Sequence, residues 1–166
     1  VFVSSVSSYG AGSGLVIDES TPTTDDQDAS PRNFIAGEDA VLATPRGAAI
    51  RIPDVHGHPR DIDYPARVRM AHELLGGSVP FDGDALLYRI DYRDAAAAID
   101  FVVTNDLVGV YNAVPDAEVP PTNREFFAEI CAAEGLPELT YRAEIRTPLV
   151  PISSAKLRAE GFTFSY

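Results

Sequence analysis

The sequence predicts an α/β fold around a parallel sheet, and two observations support this prediction. Short apolar runs alternate with helix-forming segments along the chain, which is typical of strands joined by crossover helices. The run Val1-Phe2-Val3 has no polar alternation, as expected for a buried strand of a parallel sheet covered on both faces. No crossover precedes this strand, so we expect its partner to be an upstream segment or another copy of the chain. The sequence then corresponds to the later part of a larger α/β protein.

Apolar spacing and chain breakers define the elements of the first half. Serines dominate the polar turn after the first strand, and the loop that follows is acidic and rich in proline and threonine. Gly76-Gly77 ends a helix, since glycine is favoured just after a helix C-terminus. The predicted elements are a strand at 1–3, a turn at 4–10, a loop at 18–31, a helix at 35–42, a strand at 48–52, a turn-rich connection at 53–63 and a helix at 66–75.

The second half continues the alternation of strands and helices. Thr122 and Glu125 fit a capping box, in which each side chain bonds the backbone of the other residue, so a helix begins there. Gly135 then ends this helix. The other predicted elements are strands at 86–90, 109–112 and 139–145, a helix at 93–103, and a short helix capped by Ser153 or Ser154 that ends before Gly161.

Acidic residues outnumber basic ones by a wide margin. The 166-residue chain has 25 Asp and Glu against 13 Lys and Arg, a net charge of −12, and its only lysine is Lys156. A carboxylate-rich, lysine-poor surface suits concentrated salt, where charge repulsion is screened. We therefore predict a halophilic protein rather than an ordinary acidic one. Such a surface repels phosphate backbones, which argues against a nucleic-acid partner.

The single cysteine and the lack of long apolar runs limit the class of protein further. Cys131 alone allows neither an internal disulfide nor a cysteine-based zinc site, and its amphipathic surroundings predict a buried thiol. No apolar run is long enough to span a membrane, and no signal peptide is recognisable. We expect a soluble, cytoplasmic protein.

Several motifs, in this order, resemble those of the extended short-chain dehydrogenase/reductase family, and more narrowly its NAD(P)-dependent nucleotide-sugar epimerase/dehydratase group. The resemblance covers nearly the whole chain, although no single motif is very specific. The motifs are the serine turn ending in Tyr9-Gly10, the segment Asp18 to Pro22, the stretch Arg51 to Pro59, the segment Arg89 to Ala96, Gly109-Val110-Tyr111-Asn112, and Ser153 to Phe162.

This resemblance implies a fold and a site. The fold would be the later half of a Rossmann-like parallel sheet with a small C-terminal substrate-side lobe. The whole chain would be one α/β unit, in which residues 1–112 form the partial core and 113–166 mostly the lobe. Ser5 falls on the family's catalytic Ser/Thr, which bonds the reacting hydroxyl or carbonyl of the sugar. Ser4 and Pro53 would lie beside the cofactor, NAD or NADP, and the substrate would be a nucleotide sugar.

The chain departs from the family pattern at the residues that carry its acid/base chemistry. The family uses Tyr-x-x-x-Lys, with tyrosine as general acid/base and lysine lowering its pKa. Counting back from Glu38 puts Ser30 and Phe34 at these positions, and aligning on Ser30-Pro31 puts Arg32 and Ala36 there. Neither register restores the pair. In addition, Leu87 stands near the place where a basic residue usually holds the substrate diphosphate.

The glycines of the chain do not form a dinucleotide-binding turn. Gly10, Gly12 and Gly14 are spaced one residue short of Gly-x-Gly-x-x-Gly and open onto the segment 15–19 rather than onto a helix. We expect the phosphate turn to lie upstream of Val1. A metal site is not predicted either, because His56 and His58 in a loop are better explained as a polar turn.

Three interpretations of function stay open. In an atypical catalytic branch, Ser5 orients the substrate, and Asp54, His56 or Tyr9 supplies the proton chemistry. Alternatively, the chain is a non-catalytic NAD(P)-binding or interaction protein on the same scaffold, or a fragment without activity of its own. A homodimer is possible in each case, and no membrane partner is expected.

Overall fold

The structure is a computed structural model that describes residues 1–24, 29–115 and 119–166, with residues 29 and 30 described by their backbone only. Its strands are β1 (Phe2–Ser5), β2 (Ala48–Ile52), β3 (Asp54–His56), β4 (Ser78–Phe81), β5 (Arg89–Asp91), β6 (Gly109–Asn112) and β7 (Thr140–Ile145). Its helices are α1 (Ala29–Leu42), α2 (Tyr64–Leu75), α3 (Tyr92–Thr104), α4 (Asn123–Glu134) and α5 (Ala155–Ala159), and a 3-10 turn covers Val6–Tyr9.

The main sheet is parallel, which confirms the predicted α/β fold. Its strand order is β1-β2-β6, and Ile50 of β2 lies in register with Val3 of β1 and with Tyr111 of β6. Ala48 and Ile50 of β2 pack in one buried cluster with Ala98 and Val102 of α3 and with Leu157 of α5. The apolar stripe of α3 thereby covers one face of β2 and β6.

Helix α1 covers the other face of β1 at close range. A Cβ atom added at Gly37 would lie 2.2 Å from the ring of Phe2, so only glycine permits this approach of helix and strand. The next residue, Glu38, is buried against Ser4 and Arg51. The face of β1 that carries Phe2 and Ser4 is therefore closed by α1.

The predicted burial of the first strand on both faces is wrong for this chain. Val1 is 50% and Val3 is 40% exposed, on the face opposite α1. Strand β1 pairs with β2, and its other edge has no partner strand among the described residues. The buried cluster that α3 forms with β2 and β6 includes no residue of β1.

A smaller unit stands beside the main sheet. Strands β4 and β7 pair in parallel, and α2 and α4 pack with them around Val68, Val79, Phe127, Cys131 and Leu139. The ion pair between Arg69 and Glu134, 2.5 Å long, links the two helices. Elements α2 and β4 thus join the lobe that the sequence assigned mostly to residues 113–166. The domain boundary itself stays a prediction.

Some of the local elements predicted from the sequence are present in the structure, and others differ. The capping box of Thr122 and Glu125 is present, Gly135 ends α4, and the Cys131 thiol is buried, all as predicted. Strands β3 and β4 were not predicted, and β5 is shorter than the predicted strand at 86–90. Part of the predicted acidic loop, residues 25–28, lies outside the described residues. Among the described helices, none is both long and apolar enough to cross a membrane.

Candidate functional site

A large cavity lies where the C-terminal ends of β1 and β2 meet helix α2 and the β4–β7 unit. Its volume is about 1050 Å³, and it is lined by residues of β1, α2, β4 and β7 and by Pro53, which directly follows β2. The carboxyl ends of parallel strands are the usual place for ligands in open α/β sheets. Three of the six residues predicted for the site line this cavity, namely Ser5, Pro53 and Asp54.

Ser5 is the last residue of strand β1 and stands directly before a tight turn. It is the N-cap of the 3-10 turn Val6–Tyr9, and its Oγ accepts hydrogen bonds from the backbone nitrogen and the hydroxyl of Ser7, at 3.1 and 3.0 Å. A hydroxyl carries one donor and two acceptor positions. Because Ser7 supplies both donors, the Ser5 hydroxyl keeps its own proton for an acceptor in the cavity. Ser7 itself also lines the cavity.

Asp54 begins strand β3, directly after Pro53. Its Oδ2 accepts a hydrogen bond from the Tyr64 hydroxyl at 2.7 Å and pairs with Nη1 of Arg67 at 3.1 Å. Tyr64 and Arg67 lie one turn apart on α2, and both line the cavity. Burial, followed by the hydrogen bond to Asp54, raises the pKa of Tyr64. The tyrosine therefore stays a proton donor, and Asp54 is held as its acceptor.

His56 lies outside the cavity lining. It ends strand β3 in register with Asp91 of β5, and its ring centre is 6.4 Å from that of Tyr64. Asp91 caps α3 and binds Arg93, which lowers the pKa of the Asp91 carboxyl to about 2. His56 thus faces an anionic carboxylate rather than the Ser5 end of the cavity.

Tyr9 also lies outside the lining. It is 2% exposed, its hydroxyl donates to Oδ1 of Asn112 at 2.8 Å, and the Arg51 guanidinium stands 4.5 Å from its ring centre. Burial raises the pKa of Tyr9, although Arg51 and Asn112 oppose this effect. The 3-10 turn explains the placement, because it directs Ser5 and Ser7 to the cavity and Tyr9 to the interior.

Ser4 points to the α1 side of the sheet. Its hydroxyl donates to Oε1 of Glu38, which also accepts from Nε of Arg51 at 2.9 Å. Ser4, Glu38 and Arg51 are each less than 5% exposed. Adjacent residues of a strand face opposite sides of a sheet, so Ser4 enters this buried network while Ser5 faces the cavity.

The positions that align with the family's Tyr-x-x-x-Lys pair fall on helix α1. Phe34 and Ala36 stand on α1, whereas the side chain of Ser30 lies outside the described residues. The only lysine, Lys156, is on α5, where its Nζ donates to the carbonyl of Val110 at 2.6 Å. The glycines at 10–14 lead into a loop that bridges to the C-terminal segment at Ile17 and Ile152, and the described residues 15–24 after them form no helix. Within the described ranges, no group of three or more metal-ligating side chains is found.

Solved structures share this fold. No family model and no curated protein matches the chain. A dTDP-glucose 4,6-dehydratase from Bacillus anthracis in complex with NAD matches with a TM-score of 0.74 and 21% identity, over 99% of this chain and 56% of its own. The human epimerase family protein SDR39U1 with NADPH gives 0.65 and 21%, over 99% and 60%. MoeE5 in complex with UDP-glucose and NAD gives 0.71 and 22%, over 99% and 58%.

These matches define the class of fold. The chain has a Rossmann-like α/β fold, like that of the dehydratase and epimerase-family structures named above. It spans between 56% and 60% of the length of the three structures named. The predicted fold class is confirmed, and the predicted resemblance is confirmed at the level of the fold.

Proposed function

We propose that this chain is the substrate-side part of an NAD(P)-dependent oxidoreductase of the nucleotide-sugar epimerase/dehydratase type. The observation that carries the proposal is the Ser5 hydroxyl, which stands in the cavity at the carboxyl edge of the parallel sheet with its proton free for a substrate oxygen. Asp54 with Tyr64 supplies an acceptor and a donor in the same cavity. In this proposal Ser5 orients the reacting hydroxyl or carbonyl, and the Asp54–Tyr64 pair is a group in the same cavity that is able to hold a proton.

The cofactor, NAD or NADP, fits this chain only in part. When bound, a nicotinamide supplies or removes a hydride. Pro53 lines the cavity next to Ser5 and would stand on the nicotinamide side. The pyrophosphate has no matching place, because the glycines at 10–14 precede a loop and not a helix N-terminus. The described residues therefore do not hold a complete dinucleotide.

This proposal predicts weak cofactor binding by the chain alone and a specific role for Ser5. Calorimetric titration with NAD(H) and NADP(H) should give no saturable binding. When the chain is joined to a dinucleotide-binding half, Ser5→Ala should lower the turnover of a nucleotide sugar by roughly a hundredfold, since a donor aimed at the reacting oxygen is lost. Ser13→Ala is the matched control, because Ser13 is an exposed loop serine outside the cavity lining. Tight dinucleotide binding by the chain alone, or full turnover by Ser5→Ala, would contradict the proposal.

A non-catalytic NAD(P)-binding or interaction protein on the same scaffold is the second candidate. The specific observation in its favour is that α1 carries no lysine and that Lys156 is engaged with β6. The turnover assay with Ser5→Ala described above also distinguishes the two candidate functions. A catalytic chain loses turnover on Ser5→Ala, whereas a binding protein shows no turnover in the unchanged protein.

The open edge of β1 is proposed to take a further strand, from an upstream segment or from a second copy. Unpaired backbone groups beside the half-exposed Val1 and Val3 are a ready template for pairing. We expect the isolated chain to self-associate in light scattering. Val3→Lys should shift it to monomer, and Leu15→Lys, at an exposed leucine away from the sheet, should not. A monodisperse monomer with unprotected β1 amides in hydrogen exchange would refute the strand pairing.

The charge balance is proposed to reflect a salt-rich cytoplasm. The net charge of −12 creates repulsion that dilute buffer screens poorly. We expect the melting temperature to rise steadily from dilute buffer to molar potassium chloride. The same series with a neutral osmolyte of equal osmolality separates charge screening from general exclusion effects. A flat or falling salt series would contradict the halophilic interpretation.

A further inference from the structure

One wall of the cavity is formed by large apolar side chains that are also exposed. Ile62, Met70, Leu74 and Leu75, which we call the apolar wall, are 50%, 39%, 71% and 52% exposed, and all four line the cavity. Met70 and Leu74 are four residues apart on α2 and therefore share one face of the helix. Clustered exposed apolar residues mark binding sites more often than scattered ones do.

Further apolar side chains extend this wall within the same cavity. Val79 and Phe81 of β4, Phe127 of α4 and Leu139 before β7 all line it. They belong to the buried cluster of the β4–β7 unit. A ligand that reaches from Ser5 towards α2 would thus contact apolar carbon over much of its length.

Several polar groups of the cavity lining already have partners within the protein. The Tyr64 hydroxyl donates to Asp54, Nδ2 of Asn123 donates to the carbonyl of Asp82 at 2.7 Å, and the Tyr88 hydroxyl accepts from the backbone nitrogen of Ile152 at 3.0 Å. Hydroxyl-rich ligand groups placed along the wall would lose hydrogen bonds to water without equal replacement, which costs free energy.

The charges of the lining balance each other. Two acids, Asp54 and Asp61, and two bases, Arg60 and Arg67, line the cavity. Asp54 and Arg67 form an ion pair. The lining is therefore neutral, although the chain as a whole has a net charge of −12. A neutral lining attracts neither anionic nor cationic ligands strongly, and it suits an uncharged ligand group best.

We infer that the apolar wall binds an uncharged apolar group, an alkyl chain or an aromatic ring, of the molecule whose reacting end lies at Ser5. The inference rests on the proposed function for the position of the reacting end. It narrows the substrate class to hydroxyl or carbonyl compounds that carry an uncharged apolar group. An unsubstituted nucleotide sugar carries no such group.

The test uses the full chain and the uncharged fluorophore N-phenyl-1-naphthylamine. We expect saturable binding of one probe per chain, displaced by a medium-chain alcohol and not by UDP-glucose. Leu74→Gln should weaken probe binding about tenfold, as expected when a buried contact with a leucine is lost. Leu15→Gln is the matched control, because Leu15 is 89% exposed and lies outside the cavity lining. Both substitutions replace exposed side chains, so folding is preserved in each, and circular dichroism verifies this.

The outcomes separate the inference from the proposed function. Absence of saturable probe binding, or equal weakening by Leu15→Gln and Leu74→Gln, would overturn the inference. Displacement of the probe by UDP-glucose at the concentration at which the alcohol acts would overturn it too, while leaving the proposed function intact. Specific probe binding by the chain, with no turnover of a nucleotide sugar when the chain is joined to a dinucleotide-binding half, would support the inference and count against the proposed function.

Discussion

Replacing Glu38 with alanine is expected to lower the free energy of unfolding by about 3–5 kcal/mol, the usual cost of leaving one charge of a buried ion pair without its partner. Glu38 is 3% and Arg51 is 4% exposed. The carboxylate accepts two hydrogen bonds from the guanidinium and one from Ser4. Its removal leaves the arginine buried and uncompensated beneath the ring of Tyr9. Urea unfolding followed by circular dichroism measures the change.

Two further variants make this result specific. Arg46→Ala removes the pair between Arg46 and Asp106, whose side chains are 70% and 72% exposed, and should cost less than about 1 kcal/mol. The double variant Glu38→Leu with Arg51→Met replaces the buried pair by apolar groups and should recover much of the loss. If Glu38→Ala unfolds at the same urea concentration as Arg46→Ala, the pair is not buried as described.

Local signals in the sequence predicted those elements that local chemistry determines. Strands β2 and β6 have the predicted bounds, because continuous apolar runs between chain breakers leave few alternatives. The capping box of α4 is likewise a property of four consecutive residues. Strand β4 was missed because Pro80 lies within it, and a proline within a segment argues against a strand. Here the strand forms because it pairs with a distant segment of the chain. That pairing, with β7, joins residues about 60 positions apart.

The candidate site could be predicted only as far as backbone alternation determines it. The order of Ser4 and Ser5 on a strand places one on each face of the sheet, and the resemblance selected Ser5 for the cavity. The orientation of Tyr9 depends on the 3-10 turn, which the sequence did not predict. Tyr64 and Arg67 were missed because their role arises from contact with Asp54, ten or more positions away. The sequence Asp63-Tyr64-Pro65 was the available signal, since it is a helix start with proline in the first turn.

Substitution of Asn112 with alanine is expected to be the second most destabilising change. Asn112 is fully buried, and its side chain joins two distant segments to the end of β6. Its Oδ1 accepts from the Tyr9 hydroxyl at 2.8 Å, and its Nδ2 donates to the carbonyl of Ser153 at 3.1 Å. Alanine leaves both partners unsatisfied in the interior. At about 1–3 kcal/mol for each of these two groups, we expect a loss of roughly 2–6 kcal/mol in urea unfolding.

Two controls show whether the loss arises from these two bonds. Tyr9→Phe removes one of them and should cost less than Asn112→Ala, roughly 1–3 kcal/mol. Asn105→Ala removes a similar amide at an exposed position, where Nδ2 donates to the carbonyl of Phe101, and should cost no more than about 1 kcal/mol, since water replaces the lost bond. The combined variant Tyr9→Phe with Asn112→Ala should be less destabilised than the sum of the single changes, because both remove the same hydrogen bond. Strict additivity would show that Tyr9 and Asn112 do not interact, and the buried network that holds Tyr9 away from the cavity would then have to be abandoned.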